Sequence, residues 1–186
     1  MSGQVKGSVI QSRLAFVRER IGPGATARVL ARLVDADRAV LTGTMMPFAW
    51  YPFALNEQLD LAIRDELGRG DDVFLELGVK SCEDNLASSS QRHYVLDRNP
   101  QALLKHTSAI YRVYYDTGRR EYERVSDTSA VLRTYASESF SAADCLTVVG
   151  WYERAISMCG GRNVRVTEIV CRVKGGAHCE YRCEWD

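Results

Sequence analysis

Six cysteines are the side chains of this 186-residue sequence with the greatest capacity for chemistry. Three of them, Cys171, Cys179 and Cys183, lie close together near the C-terminal end. In a reducing compartment, where disulfides are rare, such a cluster is more typical of metal ligands than of a disulfide framework. The sequence therefore predicts a metal site in this region.

The last two predicted strands bring two of these thiols together. Val164 to Cys171 and Ala177 to Trp185 have the pattern of two strands joined by a turn. If Lys174 to Gly176 form a three-residue loop, Cys171 and Cys179 lie opposite each other on one sheet face. The Cβ atoms of such a pair are roughly 4.5–5.5 Å apart. That spacing lets both thiolates bind one zinc ion at roughly 2.3 Å.

Cys145 supplies a third candidate ligand. It lies in the first turn of a helix predicted from about Ala142 to Met158. A helix N-terminus lowers the pKa of a thiol, and the thiolate is the form that binds a metal. Cys82 and Cys159 are expected to be buried thiols that behave as small apolar side chains.

Three side chains compete for the fourth ligand position: Glu168, His178 and Cys183. Glu168 precedes Cys171 by three residues, so strict alternation places the two on opposite faces of the strand. A β-bulge or a bend between them is then required. Cys183 shares a strand face with Cys179 and could replace a ligand. Spacing alone does not choose among the three.

The elements that must position these ligands follow from two periodicities. In the first two thirds of the chain apolar residues recur at helical spacing, as in the four-residue steps from Leu55 to Leu67. Arg119 to Val125 and Ala130 to Tyr135 then alternate and predict a hairpin. The order of helices, hairpin, helix and hairpin predicts an α+β fold, with helices packed on an antiparallel sheet of about four strands.

We expect residues 1–186 to form one domain, helical to about residue 118, followed by a hairpin–helix–hairpin metal-binding part over about 119–186. The 24 basic and 24 acidic side chains balance, which argues against nucleic acid as a partner. The basic pair Arg119-Arg120 is expected to be a solvated turn. The sequence has neither the roughly 18 apolar residues of a membrane span nor a signal-peptide pattern, so we expect a cytoplasmic location.

A ligand pocket is a second candidate site. His106 lies between Leu103 and Ile110 on the apolar face of a predicted helix. It is either a core histidine that bonds a backbone carbonyl or a polar anchor in an apolar pocket. The pocket would lie between this helix and the sheet, with Tyr111 on the helix and Trp151 at its border.

The aromatic block from Met45 to Phe53 is compatible with a core, a pocket or an interface. With the N-terminal helices it predicts a twofold homodimer. We find no Gly-rich phosphate loop, no Gly-x-Ser-x-Gly elbow and no His-Glu-x-x-His, so we expect no enzyme. Three function classes remain: a sensor of a small apolar or aromatic molecule, an adaptor that binds a protein partner, and a metalloenzyme.

Three C-terminal segments resemble a known domain. Cys145-Leu-Thr-Val-Val-Gly150-Trp151, Glu168-Ile-Val-Cys171 and Gly175-Gly176-Ala-His-Cys179-Glu-Tyr181 resemble the 4-vinyl-reductase-type small-molecule-binding domain. That domain is also the sensor part of aromatic-responsive bacterial transcription activators. The resemblance implies a structural zinc ion held by four side chains: Cys145, Glu168, Cys171 and Cys179.

Over its length the chain also resembles a paralogue-rich bacterial family of similar size. The segments that carry this resemblance are Pro47-Phe-Ala-Trp-Tyr-Pro, Tyr114-Tyr-Asp-Thr-Gly118 and the Cys145 segment. The resemblance implies no activity, but it implies the fold of 4-vinyl-reductase-type domains and of small TRAPP subunits, which dimerise through helices. The haem-based nitric-oxide sensor fold is a distant relative, so haem ligation by His106 is a further alternative.

Overall fold

Helical spacing in the first part of the sequence and alternation in the second produce a largely helical N-terminal part followed by a sheet. A computed structural model describes residues 3–88, 92–96 and 98–186. The helices in this part of the chain are α1 (Gly7–Arg20), α2 (Pro23–Ala31), α3 (Asp35–Thr42), α4 (Phe53–Leu67), α5 (Val73–Ser88), α6 (His93–Leu96), α7 (Pro100–Lys105), α8 (Thr107–Tyr114) and α9 (Ala142–Met158). The strands are β1 (Gln4–Lys6), β2 (Trp50–Pro52), β3 (Arg119–Ser126), β4 (Ser129–Tyr135), β5 (Arg165–Val170) and β6 (Cys179–Glu184).

The main sheet has four antiparallel strands in the order β3-β4-β6-β5. Leu132 of β4 pairs with Tyr181 of β6, and Val166 of β5 pairs with Cys183. The α+β class and the four-stranded antiparallel sheet are therefore confirmed. The loop between the last two strands is longer than predicted, because β5 ends at Val170 and a 3₁₀ turn occupies Arg172–Lys174.

A second, two-stranded sheet was not predicted. β1 pairs antiparallel with β2, and Val5 lies opposite Tyr51. Each strand has only three residues, too few to show an alternating pattern. This sheet holds the start of the chain beside α4. No helix in the part of the chain that the structure describes is long and apolar enough to cross a membrane.

The buried apolar side chains form two clusters. The N-terminal cluster runs from Val5 to Leu77, and the C-terminal cluster runs from Cys82 to Trp185. Helix α5 contributes to both, since its first half packs in the N-terminal cluster and its second half in the C-terminal cluster. The two clusters thus meet along α5.

Helices α5 and α9 touch through their backbones at two glycines. A Cβ atom on Gly78 of α5 would lie 2.2 Å from the Thr147 carbonyl oxygen of α9. A Cβ atom on Gly150 of α9 would lie 2.1 Å from the Leu75 carbonyl oxygen of α5. Both positions require glycine because any side chain would meet the main chain of the other helix.

A buried ionic cluster of Arg13, Asp60, Asp144 and Tyr115 connects α1, α4, α9 and the end of α8. The Arg13 guanidinium donates to both carboxylate oxygens of Asp60, at 2.7 and 3.1 Å. Asp144 lies 3.8 Å from the same guanidinium and accepts a 2.8 Å hydrogen bond from the Tyr115 hydroxyl. Such buried charges are tolerated only when they are paired.

Candidate functional site

The four side chains of the predicted metal site come together. We call Cys145, Glu168, Cys171 and Cys179 the cysteine–glutamate cluster. One ligand atom from each lies within 4.8 Å of the others. The Sγ atoms of Cys145 and Cys179 are 3.9 Å apart. Two sulfur ligands on one ion at tetrahedral angles and roughly 2.3 Å would be separated by about 3.8 Å.

A β-bulge brings Glu168 to the cysteine face. Glu168 pairs with Tyr181, but Val170 pairs with Glu180, so the register shifts by one residue between them. The carboxylate therefore points towards the sulfurs rather than away from them. Its Oε1 atom is buried and has no hydrogen-bond partner among the described residues. A buried carboxylate oxygen in this state lacks the stabilisation that a cation or a proton would give.

The turn after Cys171 fixes the two strand cysteines. The Cys171 carbonyl accepts hydrogen bonds from the amides of Lys174 (3.1 Å) and Gly176 (2.9 Å). Gly175 has a φ of +89°, which favours glycine. The amide of Arg172 donates to the Cys179 sulfur at 3.5 Å. These bonds fold the chain so that both sulfurs face the same space.

The cluster contains one thiol that ionises easily. The hydrogen bond from Cys145 lowers the pKa of Cys179 below its usual value. The same contact raises the pKa of Cys145, because its proton is shared with the Cys179 sulfur. Burial raises the pKa of the Cys171 thiol. Proton sharing in the pair therefore favours the thiolate form of Cys179, which is the form that binds a cation.

The alternative ligands lie elsewhere. Cys183 is fully buried in the C-terminal apolar cluster and is paired with Val166 across β5 and β6. The His178 ring lies 4.9 Å from the Tyr135 ring and points towards Glu180. Neither belongs to the group of four ligand atoms. Cys82 and Cys159 are buried, as expected of apolar thiols.

A second candidate site is an interior cavity of about 60 Å³ where α1, α5, α8 and α9 meet β3. Tyr111 and Trp151, both predicted pocket residues, line it. His106 does not. The predicted helix breaks there into α7 and α8, and the exposed His106 ring lies 4.8 Å from the Tyr94 ring. His106 therefore lies outside the wall of this cavity, whereas Tyr111 and Trp151 belong to it.

Arg120 on β3 is the cavity residue that the sequence argument missed. We expected a solvated turn, but Arg120 is only 6% exposed and lines the cavity. Its Nε donates to the Thr134 hydroxyl at 2.8 Å. Burial lowers its pKa, but neighbouring Tyr152 and Tyr181 raise it, and the net pKa lies above the usual value. The guanidinium is therefore charged. Its inward position could have been found from strand alternation, since Arg119 faces solvent and Arg120 the core.

Comparison with known proteins identifies the fold. No protein-family model matches the sequence, and no curated protein does. Among solved structures, an Fe(II) unliganded H-NOX protein mutant from K. algicida is 14% identical, with a TM-score of 0.73 over 97% of this chain and 96% of that one. An H-NOX protein from S. oneidensis in the Fe(II)NO state is 13% identical, with a TM-score of 0.73 over 97% and 99%. A structure described as probing haem distortion in the H-NOX family is 11% identical, with a TM-score of 0.73 over 97% and 95%.

The chain therefore has the H-NOX fold. The expected 4-vinyl-reductase and TRAPP assignment is wrong, because the H-NOX match covers nearly the whole chain while the resemblance rested on short segments. The prediction of a structural zinc cofactor is also wrong, since the matched proteins are described by iron and haem. The descriptions of these matched structures name the state of their iron or haem.

Haem does not fit the interior of this chain. Pockets for organic ligands measure roughly 300–1,000 Å³, whereas the cavity holds about 60 Å³. A histidine, cysteine, methionine or tyrosine must also bind the iron. Two of the three histidines, His93 and His106, are exposed, and His178 lies at the end of the sheet beside Glu180. The small cavity volume excludes haem. A tyrosine of the cavity wall could bind iron, but it would not make room for the porphyrin.

Proposed function

We propose that this chain is a sensor domain with the H-NOX fold that binds a small molecule other than haem in its interior cavity. One observation carries the proposal. The cavity wall combines residues of the N-terminal cluster, such as Val9, with residues of the C-terminal cluster, such as Ile110 and Trp151. A ligand there contacts both halves of the chain and favours the arrangement in which both contacts form.

The size of the cavity limits the ligand. A water molecule needs roughly 10–15 Å³ of such volume, so 60 Å³ accommodates only a few non-hydrogen atoms. The ligand is therefore smaller than the aromatic molecule expected from the sequence. The polar groups of Ser12, Ser81 and Thr147 line the same space and can bond its polar end.

The experiment is a nuclear magnetic resonance titration of the full chain with propanol, propionamide and propionate. We expect at least one of the three to shift the signals of Tyr111 and Trp151 with a saturable profile. Ser81→Leu fills the cavity and should abolish the shifts, whereas the exposed Ser157→Leu on α9 should not. Binding that survives Ser81→Leu, or no binding at about 50 mM of any probe, would contradict the proposal.

We also propose that the cysteine–glutamate cluster binds a divalent ion that prefers sulfur ligands. The specific support is the meeting of four ligand atoms, one of them the unpartnered Glu168 Oε1. Thiolate-rich sites select such ions over magnesium or calcium.

Cobalt(II) is a suitable probe because cobalt–thiolate bonds absorb visible and near-ultraviolet light. We expect one Co²⁺ per chain with a sulfur-to-cobalt band. Cys171→Ser should weaken its binding at least tenfold, because it removes one of the ligands. Cys183→Ser makes the same change outside the cluster and should leave binding unaltered. No sulfur band in the parent protein, or equal loss in both variants, would refute the site.

The homodimer and the cytoplasmic location stay predictions. Met46 and Phe48 are 58% and 84% exposed, and Trp50 is partly exposed beside them. These apolar side chains agree with the interface expected at residues 45–53. Light scattering at micromolar concentration that gives the monomer mass would contradict the dimer.

A further inference from the structure

The charge of Arg120 lacks a direct counter-ion. The side chain is 94% buried, since only 6% of it is exposed, and its Nε bonds the neutral Thr134 hydroxyl. Its other close neighbours are aromatic: the guanidinium carbon lies 4.9 Å from the Tyr111 ring centre and 5.6 and 5.7 Å from those of Tyr152 and Tyr181. Among the described residues, no carboxylate forms an ion pair with it.

The nearby acidic residues are already engaged. Asp60 accepts hydrogen bonds from two nitrogens of the Arg13 guanidinium. Asp144 lies beside the same guanidinium and accepts a hydrogen bond from the Tyr115 hydroxyl. Asp144 is close enough for its charge to interact with Arg120, but no ion pair within 4.0 Å joins them. Buried charges are normally paired and hydrogen-bonded. The Cys179 sulfur also interacts with the charge of Arg120, but no hydrogen bond joins the two. Arg120 is therefore a buried cation without a direct anionic partner among the described residues.

The cavity offers a place for that partner. Arg120 forms part of its wall, and Ile110, Val148 and Trp151 form an apolar part of the same wall. Half-buried Tyr114 and Asn85 also line it. A guanidinium binds a carboxylate through two parallel hydrogen bonds, an arrangement stronger than a neutral contact. An apolar body of a few atoms then fits against the aliphatic and indole surface.

We infer that the cavity binds a short-chain monocarboxylate, with the carboxylate on Arg120 and the alkyl part towards Val148 and Trp151. The inference rests on the proposed function, since it names the ligand class of the same cavity. The volume of about 60 Å³ suits an acid of about the size of propionate. Because the Arg120 guanidinium is buried, the cavity should select its ligand by the negative charge of the carboxylate as well as by size.

The test compares propionate with propionamide, which has nearly the same shape but no charge, by calorimetry on the full chain. We expect propionate to bind at least tenfold more tightly. Arg120→Gln should remove that preference. Arg124→Gln on the same strand, at an exposed position, should keep it. If Arg120→Gln does not fold, the comparison of propionate with propionamide on the parent protein shows whether the cavity prefers the carboxylate.

The outcomes separate the two proposals. Equal binding of propionate and propionamide, both lost in Ser81→Leu, would overturn the carboxylate inference and leave the cavity as a binding site. Binding of neither compound, nor of propanol, would overturn both. A preference for propionate that persists in Arg120→Gln would also overturn the inference, because another group would then hold the anion.

Discussion

Gly150→Ala is expected to lower the free energy of unfolding by about 3 kcal/mol or more. The added methyl group would lie 2.1 Å from the Leu75 carbonyl oxygen and 2.9 Å from its carbon. Both belong to the main chain of α5, so no side-chain rotation relieves the contact and the two helices must separate. Gly78→Ala should act similarly, since its methyl group would meet the Thr147 carbonyl at 2.2 Å.

Urea unfolding followed by circular dichroism measures this effect. Gly24→Ala is the matched control, because it makes the same change within helix α2 and meets only the flexible Arg28 side chain, at 3.4 Å. It should be neutral or stabilising by up to about 1 kcal/mol, since alanine favours the helix. A Gly150→Ala variant within about 1 kcal/mol of the parent would show that α5 and α9 are not in backbone contact.

Asp60→Ala should destabilise the protein by about 3–5 kcal/mol, because it leaves the Arg13 charge buried without its main partner. Both side chains of the pair are about 1% exposed, so water cannot replace the lost carboxylate. Thermal and urea unfolding of the full chain provide the measurement. The double variant Arg13→Met, Asp60→Leu removes both charges and should recover much of the loss.

An exposed ion pair provides the control for this prediction. Arg69 and Glu76 form a similar contact, but each is about half exposed. Glu76→Ala should therefore cost less than about 1 kcal/mol. If Asp60→Ala costs no more than Glu76→Ala, the carboxylate of Asp60 does not compensate a buried charge.

The helices and strands could be predicted from the periodicity of the sequence, whereas contacts between residues far apart in the sequence could not. The strands from Arg119 onwards could be predicted because alternation over six or more residues is a strong signal. The pairing of β1 with β2 could not be predicted, since two three-residue strands separated by three helices carry no pattern. The pairing of Arg13 with Asp60 is invisible for the same reason: nothing local to either residue marks it.

The candidate sites were predictable to different degrees. The cysteine–glutamate cluster follows from a resemblance, while the alternation of β5 argued against Glu168, and only the bulge before Val170 reconciles the two. Tyr111 and Trp151 line a cavity of the structure, but the helix expected to be continuous breaks at His106, and this residue lies outside the cavity wall. The fold family was misjudged because the recognised C-terminal segments are short, whereas the fold also depends on how the N-terminal helices pack.

The two clusters of buried apolar side chains occupy successive parts of the sequence, which affects the order in which they can form during synthesis. The buried members of the N-terminal cluster all lie between Val5 and Leu77. The ribosome therefore synthesises every one of them, together with Arg13 and Asp60, before the first residue of the main sheet. Since chains fold from the N-terminus as they emerge, this half can bury its apolar surface early. Gly78, by contrast, must wait for α9, so the contact that joins the halves is among the last to form.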